Sequence, residues 1–217
     1  MSSATAKAPA GPQSARRSAT RFALMRLHSL AGIVPLGLFL LEHLYTNAVA
    51  MFGEAAYNRQ IGRLQSLPFL GAAEIVFIAL PLLYHAGYGI YIAGMARNNA
   101  TRYSYRNNWL FVLQRASGIV TLVFVLAHLW AIRLAALFYG TTVDYQHVQQ
   151  HVSQPLVLAL YAIGSIGATF HFTNGMAAAL VTWGITVGPR SQELAARIGL
   201  GLFAALSCMW IAVLLAF

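Results

Sequence analysis

Residues 82–94 read LLYHAGYGIYIAG, and they place one titratable side chain, His85, among apolar and small residues. An ionisable group in an apolar segment of this kind is costly to bury, so a functional site is the first hypothesis for it. Three other histidines, His43, His128 and His171, have similar surroundings, each in a different apolar segment. The fold and the function must therefore explain four imidazoles in four apolar segments.

The composition indicates a membrane protein, because 59% of the 217 residues are hydrophobic and only 9% are charged. A bilayer core about 30 Å thick is crossed by about 20 apolar helical residues that rise about 1.5 Å each. Five segments are long enough, at residues 30–52, 69–96, 110–139, 155–187 and 198–217. They are too long for the strands of a membrane barrel and lack the alternation of such strands. The predicted fold class is an all-α membrane protein whose five transmembrane helices form a bundle.

The net charge of +9 does not indicate a nucleic-acid partner, because the basic residues lie between the apolar segments rather than on one face. Most of them precede segment 1 or lie between segments 2 and 3 or segments 4 and 5: Lys7, Arg16, Arg17, Arg21, Arg26, Arg97, Arg102, Arg106, Arg190 and Arg197. The positive-inside rule then predicts a cytoplasmic N-terminus, an external C-terminus and a multi-pass location in the inner (cytoplasmic) membrane, with lipid around the apolar surfaces. The end of the bundle that carries these basic residues is referred to below as the inner end, and the opposite end as the outer end.

Residues 1–20 are rich in Ala, Ser and Pro, are basic and contain no apolar run. This composition predicts a disordered basic tail. A transit peptide, which is also rich in Arg and poor in acidic residues, is the alternative for this segment. Residues 21–217 are predicted to form a single transmembrane domain.

The position of each histidine along its segment gives an approximate depth. Measured from the inner end, a rise of about 1.5 Å per residue puts His85 at about 16 Å and His171 at about 19 Å. The same arithmetic puts His43 at about 24 Å and His128 at about 28 Å. The sequence therefore predicts an inner pair, His85 and His171, and an outer pair, His43 and His128.

Two histidines from different helices at one depth suit a six-coordinate haem, because each neutral imidazole gives one nitrogen to the iron. Two such pairs predict two haems b, one above the other, and hence a path for electrons across the membrane. The alternatives at this point are histidines that only join helices by hydrogen bonds, and a proton-coupled transporter that uses them as a relay.

Glycines beside the ligands would let a flat porphyrin approach the helices closely. Gly89 lies four residues after His85, on the same helix face. Gly167 and Gly175 flank His171 at the same spacing. This spacing is also common in ordinary membrane helix packing, so the glycines alone do not distinguish the two uses.

Long strings of the sequence resemble one known family. They are RLHSLAGIVPLGLFLLEH, IVFIALPLLYHAGYGIYIA, NNATRYSYRNNWLFVLQRASGI, TFHFTNG and VTWGITVGPRSQ. Over roughly residues 22–217 the chain resembles the membrane anchor of succinate dehydrogenase. More narrowly, it is similar to the single-subunit, dihaem cytochrome b (b558-type) of succinate:menaquinone and fumarate oxidoreductases.

The resemblance implies that His43, His85, His128 and His171 are the axial ligands of two haems b, in the same two pairs. It implies that a flavoprotein and an iron–sulfur subunit bind at the cytoplasmic face, with the inner haem nearest the iron–sulfur subunit. It also implies that menaquinone reacts near the outer haem. A dihaem anchor of another quinone-linked dehydrogenase, such as a hydrogenase or formate dehydrogenase, is the alternative.

Five residues near the inner end are candidates to bind haem propionates: Arg26, His28, Ser29, Arg115 and Ser117. Arginine forms forked, charge-assisted hydrogen bonds with carboxylates. His28 is too shallow to pair with the deep histidines, so it is not expected to be a ligand. The alternative for Arg26 is that it only marks the boundary of the membrane.

Quinone chemistry moves protons with electrons, so a buried acidic residue is expected near the outer haem. Glu42, Glu54 and Glu74 all lie toward the outer end. Glu74 enters segment 2 from that end and is predicted to transfer protons at the quinone site. His147 and His151, in the outer loop, are expected to be solvated surface residues rather than ligands.

Overall fold

The computed structural model describes residues 12–97 and 99–217, and all regular structure in these ranges is helical. The α-helices are α1 (Pro12–Ile33), α2 (Pro35–Ala48), α3 (Glu54–Gln65), α4 (Leu70–Glu74), α5 (Leu80–Met95), α6 (Arg106–His128), α7 (Ala135–Tyr139), α8 (Tyr145–Val152), α9 (Pro155–Thr182) and α10 (Pro189–Leu214). A 3₁₀ segment, Val49–Phe52, extends α2. Two π-helical segments, Ile75–Ala79 and Leu129–Leu134, join α4 to α5 and α6 to α7.

Joined end to end, these helices form five spans that are long and apolar enough to cross a membrane. They are span 1 (Ser18–Phe52), span 2 (Leu70–Met95), span 3 (Arg106–Tyr139), span 4 (Pro155–Thr182) and span 5 (Pro189–Leu214). Within the described ranges, the predicted fold class of an all-α membrane protein with five transmembrane helices is confirmed.

Span 1 continues toward the N-terminus beyond its apolar run. Its first helix, α1, starts at Pro12, a residue whose fixed φ suits the first turn of a helix. Residues 12–20, predicted as part of a disordered tail, are therefore helical. A helix that is already nucleated by the adjoining span is extended at little cost per residue. The rest of the predicted tail, residues 1–11, lies outside the described residues.

Span 1 is divided at Val34, between the end of α1 and the start of α2 at Pro35. Proline has no N–H to donate and its ring crowds the preceding turn, which accounts for the break. His28 lies on α1 and His43 lies on α2, so the division separates these two histidines.

The outer end is closed by two short helices, α3 and α8, and by the C-terminus. The backbone N–H of Tyr145 donates to the side-chain oxygen of Asn58 at 2.8 Å, which joins α8 to α3. The rings of Tyr57, Tyr145 and Phe217 contact one another. Burial, assisted by the charge of Asp144, raises the pKa of Tyr57 to about 12. The loops of this end are therefore packed into one structure.

Span 4 is the centre of the bundle and packs against spans 1, 3 and 5. Its most buried residues are Thr169 and Thr173, which are 0% and 1% exposed. Their hydroxyls donate to carbonyls of the preceding turn, at 2.8 and 2.9 Å, so neither polar group lacks a partner. Span 5 approaches this face closely, because a Cβ added at Gly199 would lie 3.3 Å from the carbonyl oxygen of Thr173.

Candidate functional site

The inner pair is in contact across spans 2 and 4. The ring centroids of His85, on α5, and His171, on α9, are 6.0 Å apart. The ring planes are nearly perpendicular, at 84°. The structure thus brings together the two histidines that their depths predict to be partners.

Backbone carbonyls hold both rings of the inner pair by their Nδ1 atoms. Nδ1 of His85 lies 2.9 Å from the carbonyl oxygen of His28, and Nδ1 of His171 lies 3.0 Å from that of Gln114. A carbonyl oxygen only accepts hydrogen bonds, so these two contacts favour the proton on Nδ1, which leaves a free lone pair on Nε2. At His171 the amide nitrogen of Gln114 and the hydroxyl oxygen of Ser117 also lie near Nδ1, at 3.2 and 3.4 Å, which is farther than the carbonyl oxygen. Imidazoles held in this way present Nε2 to a metal.

Gln114 joins spans 3 and 4 beside the inner pair. Its side-chain amide donates to the carbonyl oxygen of His171 at 3.0 Å, and Asn174 donates to its side-chain oxygen at 2.7 Å. Because the backbone of Gln114 also accepts from the His171 ring, this one residue fixes both the backbone and the imidazole of His171. The sequence alone offered no signal for this role.

Two glycines make room for the imidazoles of the inner pair. A Cβ added at Gly32, on α1, would overlap the ring of His85. A Cβ added at Gly118, on α6, would lie 2.9 Å from Cε1 of His171. Both glycines lie on the helix that faces the histidine, where the ring makes its close approach.

The glycines predicted from spacing have other neighbours. Gly89 faces His28, whose Nε2 would lie 3.1 Å from an added Cβ. Gly167 faces Val120, and Gly175 makes room for the amide of Gln114. The four-residue spacing identifies neighbours along the ligand's own helix, whereas an imidazole projects away from its helix toward the next one. These contacts concern the imidazoles, so the role of Gly89, Gly167 and Gly175 in admitting a porphyrin stays a prediction.

The outer pair joins spans 1 and 3. The ring centroids of His43, on α2, and His128, the last residue of α6, are 5.7 Å apart, with the planes at 73°. Nδ1 of His128 lies 3.1 Å from the hydroxyl oxygen of Tyr161. Trp210 of span 5 lies against the ring of His43, with centroids 6.0 Å apart. The closest hydrogen-bond partner in the outer pair is thus a side-chain hydroxyl, whereas the closest partners in the inner pair are backbone carbonyls.

Span 4 shows that the two pairs lie at different levels. It carries His171 of the inner pair and, ten residues earlier, Tyr161, which contacts His128 of the outer pair. Ten residues of α-helix at about 1.5 Å each correspond to about 15 Å. The two levels predicted from depth are therefore distinct in the structure.

The geometry of both pairs fits axial ligands of a haem iron. An imidazole nitrogen lies about 2.0–2.1 Å from a first-row metal that it binds, so rings on opposite sides of one ion have centroids roughly 6–6.5 Å apart. The observed distances of 6.0 and 5.7 Å are near this range. In the described residues no group of three or more His, Cys, Asp or Glu side chains could hold a bare ion, whereas a bis-histidine haem needs two protein ligands. Ligation by the four histidines stays a prediction that this geometry supports.

Three polar atoms of the predicted propionate-binding residues are buried and have no hydrogen-bond partner among the described residues. They are Nε of Arg26, Nε of Arg115 and Nε2 of His28. The guanidinium of Arg26 lies between the rings of Phe22 and Trp183, 4.4 and 5.1 Å from their centroids. A buried donor without an acceptor is costly, and a haem carboxylate would supply the acceptors that these atoms lack.

His28 lies directly beside the inner pair. Its ring stacks on that of His85, with centroids 4.1 Å apart and planes 16° from parallel. This separation is shorter than that of either histidine pair, and parallel stacking does not direct two nitrogens at one ion. The prediction that His28 is not an axial ligand is consistent with this arrangement.

The two serines of the predicted propionate set already have partners. Ser29 accepts a hydrogen bond from the indole N–H of Trp183 at 2.9 Å and donates to the carbonyl oxygen of Arg26 at 3.0 Å. Ser117 donates to the carbonyl oxygen of Gln114 at 3.1 Å. Their hydroxyls are therefore less available to a ligand than the unpartnered arginine nitrogens.

Glu74 forms an ion pair with Arg133 that joins spans 2 and 3 at the outer end, with a shortest distance of 2.5 Å. Each partner adjoins or lies in a π-helical segment: Ile75–Ala79 follows Glu74, and Leu129–Leu134 contains Arg133. π-Helical turns within α-helices are frequent at functional sites. The second π segment begins directly after His128, so the ion pair is close along the chain to an outer histidine.

The structure also identifies neighbours of the site that the sequence did not. Tyr161 contacts His128 of the outer pair. The one signal in the sequence was its position ten residues before His171, which places it at the depth of the outer pair. The ring of His151, predicted to be solvated together with His147, packs edge-on against Tyr161 at 5.4 Å. Burial and, second, the charge of His147 lower the pKa of His151. His151 is therefore partly buried as well as partly solvated, and the prediction that it is not a ligand stays a prediction.

Comparisons with known proteins agree with the site. A family profile described as "Succinate dehydrogenase/Fumarate reductase transmembrane subunit" matches residues 96–213. The chain is also 47% identical over 196 residues to the "Succinate dehydrogenase cytochrome b558 subunit" of Bacillus subtilis (strain 168), a match that covers 90% of this chain and 96% of that relative. The five spans and these matches indicate a multi-pass protein of a bacterial cytoplasmic membrane. The chain belongs to the transmembrane subunits of succinate dehydrogenase and fumarate reductase, as a membrane-anchor cytochrome b of that oxidoreductase complex.

Proposed function

We propose that this anchor passes electrons between an iron–sulfur subunit and menaquinone through two bis-histidine haems b. His85 and His171 would hold the inner haem, and His43 and His128 the outer haem. The observation that carries the proposal is the arrangement of four imidazoles as two contacting, nearly perpendicular pairs on two levels of the bundle.

When bound, haem b supplies a one-electron Fe(III)/Fe(II) couple. The chain binds and orients the haem. The carbonyls of His28 and Gln114 fix the inner imidazoles with Nε2 available, and donation from Nδ1 makes Nε2 a stronger ligand. The apolar spans exclude water from both levels, which is one of the features that set a haem potential.

The inner haem's propionates would be bound by two arginines and a histidine of the inner end. Arg26, His28 and Arg115 support this because each has a buried nitrogen with no partner among the described residues. Arginine matches the geometry of a carboxylate with two parallel hydrogen bonds. Ser29 and Ser117 would make weaker contributions, since their hydroxyls already have partners.

The soluble partners would be a flavoprotein and an iron–sulfur subunit, bound at the inner end on the cytoplasmic side. The concentration of basic residues at this end supports a cytoplasmic N-terminus and an external C-terminus. A flavoprotein that copurifies with the chain would support these partners. Its absence from an intact complex would instead favour the anchor of a hydrogenase or formate dehydrogenase.

Menaquinone would react at the outer end, beside Glu74. Its reduction takes up two protons with two electrons, so a side chain that can exchange protons is needed there. Glu74 is a carboxylate at this end, and Arg133 orients it from the neighbouring span. Arg133 lies five residues after His128, which supports a site close to the outer haem.

The direct test is the absorption spectrum of the purified protein, reduced with dithionite minus oxidised. The proposal predicts the bands of a b-type haem. A spectrum without them would refute haem binding and would leave a proton-coupled transporter, which needs no iron, to be tested by substrate flux.

A further inference from the structure

The closest hydrogen-bond partner in the outer pair is a side-chain hydroxyl, that of Tyr161, whereas the closest partners of the inner imidazoles are backbone carbonyls. The hydroxyl oxygen lies 3.1 Å from Nδ1 of His128, and Tyr161 is only 8% exposed. The rings of Phe124 and His151 contact the Tyr161 ring edge-on, at 5.3 and 5.4 Å between centroids. Packing therefore fixes the hydroxyl beside the imidazole.

We infer that Tyr161 is a positioning residue that sets the potential of the outer haem through His128. The inference rests on the proposed function, in which Nε2 of His128 binds iron. Nδ1 of His128 then carries the ring proton and donates it in a hydrogen bond to the Tyr161 oxygen. This donation increases the electron density at Nε2, stabilises the ferric state over the ferrous state and lowers the potential.

Tyr161 is the acceptor through which the outer level is tuned. Within the described chain the ring of His43 has no hydrogen bond, so Tyr161 supplies the hydrogen-bond acceptor of the outer pair. At the inner level both acceptors are backbone carbonyls, which side-chain substitutions leave in place. A substitution of Tyr161 is therefore expected to change the potential of the outer haem and to leave that of the inner haem unchanged.

The test is a redox titration of the complete complex carrying Tyr161→Phe, which keeps the ring and removes the oxygen. The outer step is identified as the one that is lost from a His43→Ala complex. Loss of one hydrogen bond is expected to raise the ferrous-to-ferric ratio of the outer haem about threefold to tenfold at a fixed potential. A tenfold change corresponds to an upward shift of about 59 mV for a one-electron couple. The inner step is expected to stay at its wild-type potential.

Tyr145→Phe is the matched control. Its hydroxyl also lies at the outer end, where it donates to the carbonyl oxygen of Ala216 at 2.7 Å, and its ring contacts are with Tyr57 and Phe217 rather than a histidine. Both haem potentials should be unchanged in this variant.

Three results would overturn the role of Tyr161: an unshifted outer step in Tyr161→Phe, equal shifts of both steps, or loss of the outer haem from this variant. The last result would make the residue necessary for assembly rather than for tuning. These outcomes are separate from a failure of the proposed function, which would appear as missing b-type bands in the wild-type complex.

Discussion

The two histidine pairs share their ring geometry but differ in what surrounds them. The inner pair is held by backbone carbonyls and is approached by two glycines, and arginine and histidine side chains at its end of the bundle have unpartnered nitrogens. In the outer pair, His128 contacts a tyrosine hydroxyl, and Arg133, five residues further along the chain, forms an ion pair with Glu74. The inner surroundings suit an anionic group that is bound permanently. The outer surroundings suit a substrate that exchanges protons.

The largest expected effect is the loss of one haem when one ligand is replaced. His171→Ala should leave about half of the b-type absorbance, because only the outer haem retains two ligands. His128→Ala should leave the other half. Haem content and the spectrum of each variant measure this, with His147→Ala as a control that lies outside the spans. If both variants lost the same haem, the assignment of His171 and His128 to two different haems would be wrong.

Replacement of Glu74 should separate quinone chemistry from haem binding. Glu74→Gln keeps the shape but can no longer exchange a proton, so quinone-linked turnover should fall about a hundredfold, at the lower end of acid–base contributions. Both haems should still be reduced by dithionite. The control is Glu54→Gln, at another outer acid, which accepts a hydrogen bond from Gln146 at 3.0 Å. Normal turnover of the Glu74→Gln complex would rule out this residue as the proton donor.

A smaller change in haem content is expected when a side chain is added at a glycine that contacts the inner pair. In Gly118→Ala the added Cβ would press on His171, and overpacking of this kind costs about 1–3 kcal/mol. The inner haem should be bound less completely, while the outer haem stays at its wild-type content. Gly201→Ala is the control, since a Cβ there meets no atom within 4 Å. Equal loss of both haems from Gly118→Ala would indicate general destabilisation instead.

The smallest expected effect is a shift of the inner haem potential when Arg115 is replaced. Arg115→Gln removes a positive charge near the inner haem, which favours the more positively charged ferric state and lowers the potential. The decrease should not exceed a tenfold change in the redox ratio, or about 59 mV. Arg197→Gln should have no effect, because this exposed side chain pairs with Glu193 on its own helix. If only the potential of the outer haem shifted, the assignment of Arg115 to the inner haem would be wrong.

The number of spans and the histidine pairs could be predicted from the sequence, because apolar length and rise per residue determine both. The ends of the spans could not. The predicted fourth segment runs to residue 187, but α9 ends at Thr182, and Gly184 turns the chain with a positive φ of 71°. The next helix begins at Pro189 rather than near residue 198, because proline suits the first helical turn and polar residues there can extend a span.

The surroundings of the histidines could be predicted only in part. Arg26 and Arg115 could be proposed because arginine in or beside an apolar segment needs polar or anionic partners. Gly118 and Tyr161 could not, because their contacts depend on how each helix is rotated toward its neighbour. A single sequence gives depth along a helix but does not fix that rotation.

The most direct measurement is the number of haems b per chain, determined on the purified complex together with an anaerobic redox titration. Two bis-histidine sites predict two haems b per chain and two one-electron steps of similar amplitude. One haem per chain, or a single step, would contradict the assignment of two separate histidine pairs.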